Sequence, residues 1–166
     1  MTAIEDVEDL MGKIKWVSDK ERWWESFSYP QATYGRHELG GGDDCDGHAL
    51  LAATLIENMA WKDPSLGIRE VGMLSVIWKG GGHAVAVFCI DGNVHSSNPD
   101  IGSMRAYQWA HIGNWNLGKA KRGFESVSAI IIDILNSVGK KQGDCCGWAL
   151  VDYRLKLIDC STCVKL

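Results

Sequence analysis

One run in the chain restricts the fold more than any other: Ala49-Leu50-Leu51-Ala52-Ala53-Thr54-Leu55-Ile56 contains strong helix formers and no glycine or proline. It follows Asp43 and Asp44, which predicts a buried helix beginning near residue 45. After Pro64 and Gly67 come two β-type segments, Glu70 to Trp78 and His83 to Ile90, joined by Lys79-Gly80-Gly81-Gly82. They predict neighbouring antiparallel strands. Asp91-Gly92 reads as a hairpin turn into a third segment, Asn93 to Ser97, which Asn98-Pro99-Asp100 ends, so a three-strand meander is expected behind the helix.

The flanks are read the same way. Ile4, Val7, Leu10, Met11, Ile14 and Val17 recur at three- and four-residue steps, so an amphipathic helix is expected over the first twenty residues. From Trp23 to Gly42 the pattern dissolves into aromatics, Pro30 and a glycine run, which reads as an irregular connection. Residues 101 to 123 read as loop with one short helix. Ser126 to Leu135 reads as β-rich, Gly139 to Gly143 as a turn, and Trp148 to Ile158 as a final strand.

A length of 166 residues fits one domain, and 46% hydrophobic with 23% charged residues excludes a disordered chain. The formal charge of -4 argues against an electrostatic grip on nucleic acid or an anionic membrane surface. The longest apolar run, Val127 to Leu135, is interrupted by Ser128 and Asp133 and falls short of the roughly 20 residues that span a bilayer. The acidic start, Glu5-Asp6-Val7-Glu8-Asp9, lacks the basic and apolar character of a signal peptide, so a cytoplasmic location is expected. In a reducing compartment the cysteines at 45, 89, 145, 146, 160 and 163 read as thiols, metal ligands or a nucleophile.

Cys45 stands after a glycine run at the start of the expected helix, where free backbone N–H groups and the helix dipole favour a thiolate. His83 opens a strand behind three glycines, with room for its imidazole to face a neighbour, and Asn98 lies at the far end of the following strand. Nucleophile, base and orienting acceptor are thereby available as an ion pair plus a third side chain.

These residues carry a resemblance. Gly42-Asp43-Asp44-Cys45-Asp46-Gly47-His48-Ala49-Leu50-Leu51 resembles the nucleophile motif of transglutaminase-like cysteine hydrolases, including the bacterial cysteine proteinase branch, and Gly82-His83-Ala84-Val85-Ala86-Val87 is similar to the strand that carries their histidine. The likeness is strongest over residues 20 to 100. It implies an α+β, papain-like transglutaminase-core fold, with the nucleophile helix packed on an antiparallel sheet. It also implies a Cys45–His83 pair that attacks an amide or peptide bond through an acyl-enzyme, which passes to water or to an amine, with no cofactor. The family's third residue is usually an aspartate. Here Asn98 holds that place, with Asp100 as the alternative orienter, and the extra aspartate in Asp43-Asp44 is a second departure. The resemblance places the second oxyanion donor in the preceding loop, where Gln31, Trp24 and Tyr34 are candidates.

Other readings stand beside this one. Cys89, inside an apolar strand, reads as core filler. His48 reads equally as a metal or supporting residue and as a helix surface position. Asp144-Cys145-Cys146-Gly147-Trp148-Ala149-Leu150 echoes the Cys45 segment but has no histidine downstream. With Cys160 and Cys163, Cys145 and Cys146 offer four thiols to a structural zinc, although adjacent cysteines diverge in a strand. The rival functions are a catalytically silent papain-like domain that binds a protein partner and a zinc- or redox-responsive protein.

Overall fold

The computed structural model describes residues 3–17, 30–39, 42–93 and 105–161. Among them the chain is mixed α+β: helices α1 (Ile4–Met11), α2 (Pro30–Glu38), α3 (Cys45–Lys62) and α4 (Val127–Ser137), and strands β1 (Lys15–Trp16) to β8 (Leu157–Ser161). Between these lie β2 (Gly42–Asp43), β3 (Ile68–Trp78), β4 (Gly81–Asn93), β5 (Arg105–Ile112), β6 (Ala120–Phe124) and β7 (Cys145–Val151). The six-stranded sheet runs β6-β5-β4-β3-β7-β8 with every neighbouring pair antiparallel. No helix among the described residues is long and apolar enough to cross a membrane.

The central helix and hairpin form where their residues predict them. Asp44 caps α3 by accepting from the Gly47 N–H at 3.3 Å, and the helix stops before Asp63-Pro64. The alternation in β4 then sorts its side chains. Ala84, Ala86 and Phe88 face α1 and α3, while Val85 and Val87 join Leu74 and Val76 of β3 under Ile130, Ile131, Ile134 and Leu135 of α4. Alanines at 84 and 86 meet Ala49, Ala52 and Ala53 on the helix, and these small side chains let α3 approach the strand closely.

Several expectations fail for local reasons. The first helix ends at Met11 with Gly12 as its cap, and Lys15–Trp16 instead pairs in parallel with Gly42–Asp43. Part of the expected connection is helical, over Pro30–Glu38. Asp91-Gly92 is not a turn: β4 continues to Asn93, with the Asp91 N–H donating to the Gly67 carbonyl and Arg69 gripping the Asp91 carboxylate, so the next strand is β5. Residues 105–112 and 120–124, read as loop, pair as β5 and β6. Ser126 to Leu135 is a helix, because Ser126 accepts from the Ala129 N–H at 3.2 Å and Ile130, Ile131, Ile134 and Leu135 fall on one buried stripe while Ile132 faces out. The last expected strand is two, β7 and β8, linked by a turn in which the Asp152 carboxylate accepts from the Arg154 and Lys156 N–H groups.

Candidate active site

Three elements build the turn that leads into Cys45 and α3. Asp43 is buried, accepts from Thr33 Oγ1 of α2 at 2.6 Å, and accepts from the Asp44 N–H at 3.1 Å, tying α2 to the turn that enters α3. The extra aspartate is thus a clamp. Its carboxylate sits where a Cβ on Gly47 would stand, 2.5 Å from Asp43 Cγ. Gly47→Ala therefore gains helix propensity and loses more to the clash: a net loss of roughly 1–3 kcal/mol in urea denaturation is expected. An unchanged midpoint would show that the carboxylate is free to move. His48 is buried rather than on the surface, and its Nε2 lies 3.2 Å from the Lys15 carbonyl, which fastens α3 to β1.

Cys45 is the first residue of α3 and is half-buried, with its sulfur accepting from the Ala84 N–H of β4. It lines a cleft of about 480 Å³ together with Asp44, Asp46, Ser75, Ile77 and His83. His83 also borders this cleft, but no hydrogen bond joins it to Cys45. The register pairs His83 with Val76, so its side chain falls with Val85 and Val87 on the sheet face that α4 covers, opposite the face on which α3 and Cys45 pack, and its ring lines a second cavity on the α4 side; the expected Cys45–His83 ion pair is not formed. Trp115 stacks on the imidazole, 3.4 Å between centroids and 4° between planes.

Electrostatics differ from the expected thiolate–imidazolium pair. Burial, aided by the Asp44 and Asp46 carboxylates, pushes the Cys45 thiol up to about 11, against the opposing effect of the Ala84 N–H. Burial, with His111 nearby, takes His83 down to about 3. The resting pair is a neutral thiol and a neutral imidazole.

Burial also lowers His48 and His111, in the latter case against the pull of Asp133. The unfolded chain takes up these protons near the ordinary histidine value and the folded chain resists, so stability is full above about pH 6.5 and falls as the pH drops toward 3. The urea midpoint should be lower at pH 5 than at pH 7.5. A flat profile would mean that these imidazoles are solvated.

The remaining expectations divide. Asn98, Asp100, Trp24 and Cys163 lie outside the described residues. Gln31 and Tyr34 are exposed on α2 and are not among the described residues lining the cleft, so neither is brought to Cys45. The Tyr34 hydroxyl bonds Glu38 instead. Cys89 is buried filler. The four-thiol zinc set is not formed: Cys145 is disulfide-bonded, Cys146 and Cys160 are free and exposed, and the described residues hold no group of three or more ligands suited to a metal.

Sequence reading missed Asn114. It follows β5, next to the tryptophan that stacks on His83, and its Oδ1 is buried without a partner. His83 Nε2 is likewise buried without a partner. Neither atom bonds the other. The signal was Asn114-Trp115-Asn116 directly behind a strand, which is visible only once β5 is recognised.

Comparison of the chain with family models, curated proteins and solved structures returns no match.

Proposed function

We propose that this protein is a cysteine hydrolase or acyltransferase with a papain-like, transglutaminase-like site, acting on an amide or peptide bond. The observation that carries the reading is Cys45 at the start of α3, its sulfur on the Ala84 N–H, in a cleft that His83 also lines. A helix start supplies N–H donors, and the reading takes His83, from the strand that borders the cleft, as the base.

The resting thiol is uncharged, so proton transfer accompanies attack. As sulfur bonds the carbonyl carbon, the Sγ proton passes to His83, whose ring in this scheme turns from the α4 face of the sheet to the cleft, and the oxyanion is held by the Cys45 backbone N–H. The C–N bond then breaks, and His83 returns the proton to the leaving amine. The thioester is consumed by water or by a second amine.

The test is incubation with a mixed peptide digest plus a primary amine, followed by mass spectrometry. Cys45-dependent hydrolysis or amine incorporation supports the reading, and the ratio of the two separates hydrolase from acyltransferase. Products identical to those of Cys45→Ser would leave the silent binding domain as the better reading.

A further inference from the structure

The second cavity, about 280 Å³, lies between the sheet and α4 and shares only His83 with the cleft that Cys45 lines. His111 forms part of its wall. This imidazole is 6% exposed, and its Nδ1 is buried without a partner. Its other nitrogen, Nε2, stands 3.1 Å from Asp133 Oδ2. An ionised carboxylate only accepts, so Nε2 carries the proton and Nδ1 presents a lone pair. Leaving such an acceptor unmatched costs about 1–3 kcal/mol, and it is satisfied by a group that donates.

Three further observations define that group. Lys121 Nζ lies 3.0 and 3.2 Å from the two Asp133 oxygens, which neutralises the pair and leaves the ammonium with donor capacity to spare. With neutral imidazoles, the cavity therefore carries no net charge. Val85, Ile134 and Val138 supply an aliphatic wall. Gly113 keeps the space open: its backbone (φ -140, ψ 161) suits any residue, yet a Cβ there would stand 2.9 Å from Val85 Cγ1 and 3.4 Å from His83 Nε2.

We infer that this cavity binds a small uncharged carboxamide, its N–H donating to His111 Nδ1, its carbonyl accepting from Lys121 Nζ, and its alkyl part lying on Val85, Ile134 and Val138. One group supplies both the donor and the acceptor without adding charge. A carboxylate has no proton for Nδ1 and meets Asp133, and an amine meets Lys121. The inference does not depend on a catalytic role for Cys45.

The test is titration of the ¹⁵N-labelled full chain with isobutyramide, followed through the histidine ring nitrogens by long-range ¹H–¹⁵N spectra. A saturable shift at His111 Nδ1 is expected, with isobutyrate binding about tenfold or more weakly, as loss of one matched buried hydrogen bond implies. Gly113→Val should abolish saturation at His111, His111→Phe should abolish the saturable backbone amide shifts of the cavity residues, and backbone amide spectra report whether each variant is folded. Lys121→Met, altering a partly exposed side chain, gives a folded variant in which binding should weaken while the His111 signal persists. Acetyl-glutamine methylamide is the second probe: tighter binding than isobutyramide assigns the site to a side-chain amide of a bound peptide, and weaker binding to a free small amide. No saturable shift, equal affinity for isobutyrate, or unaltered binding in folded Gly113→Val would overturn the inference.

Discussion

Cys45→Ala should remove turnover of any peptide the wild-type chain processes, by about 10⁴-fold or more, because no other group supplies the atom that bonds the acyl carbon. The fold should hardly notice. Cys45 is half-buried at the edge of the cluster formed by Ala49, Leu50, Met73 and Ala84, and its sulfur offers the Ala84 N–H only a weak acceptor. A loss of about 1 kcal/mol is expected, the lower end for an unmatched backbone donor, because the sulfur it loses is a weak acceptor. The activity assay and a urea denaturation curve on the same preparation check both halves. Activity retained in Cys45→Ala would remove the nucleophile from the account. A large loss of stability would show the thiol to be a packing element.

The largest effect on stability is expected at Phe88. It lies in β4 at the middle of the sheet, paired with Val71 on one side and Ala110 on the other, and is fully buried under α1 and α3. Phe88→Ala leaves a cavity between two rigid layers, for which about 3–5 kcal/mol is the usual cost. Domains of this kind are stable by about 5–15 kcal/mol in total, so the variant would be marginal. Trp61, exposed at the end of α3, gives the contrast: Trp61→Ala should change stability by no more than about 0.5 kcal/mol. A fall in the urea midpoint for Phe88→Ala without a change in slope would assign the effect to the native core, whereas a loss below about 1 kcal/mol would place the helices elsewhere.

These two positions belong to the part of the chain that the sequence made legible. The buried run of α3 and the two strands joined by glycines are contiguous, strongly patterned segments whose local preference agrees with their tertiary use. The rest was obscured where local preference and tertiary use diverge. The run of isoleucines in α4 favours a strand by composition, and only the Ser126 cap and the stripe of Ile130, Ile131, Ile134 and Leu135 mark a helix. Asp91-Gly92 has the composition of a turn, yet pairing of β4 with β5 carries the strand through it.

Site residues divide along the same line. Cys45 and His83 announce themselves at the starts of patterned elements. Asn114 and Trp115 depend on where β5 ends, so nothing local singled them out. The protonation state was equally hidden. A helix start argues for a thiolate, and only the packed structure, with Asp44 and Asp46 beside a half-buried sulfur, shows that burial prevails.

The central claim is that Cys45 forms an acyl bond with help from His83. Its most direct test is single-turnover acylation by a p-nitrophenyl ester, with the acylated residue mapped by mass spectrometry in the wild-type chain and His83→Ala. Cys146 and Cys160 are exposed free thiols and serve as internal controls. One acyl group per chain on Cys45 is expected, its formation slowed by about 10²-fold or more in His83→Ala. Acylation confined to Cys146 and Cys160, or a Cys45 rate indifferent to His83, would contradict it.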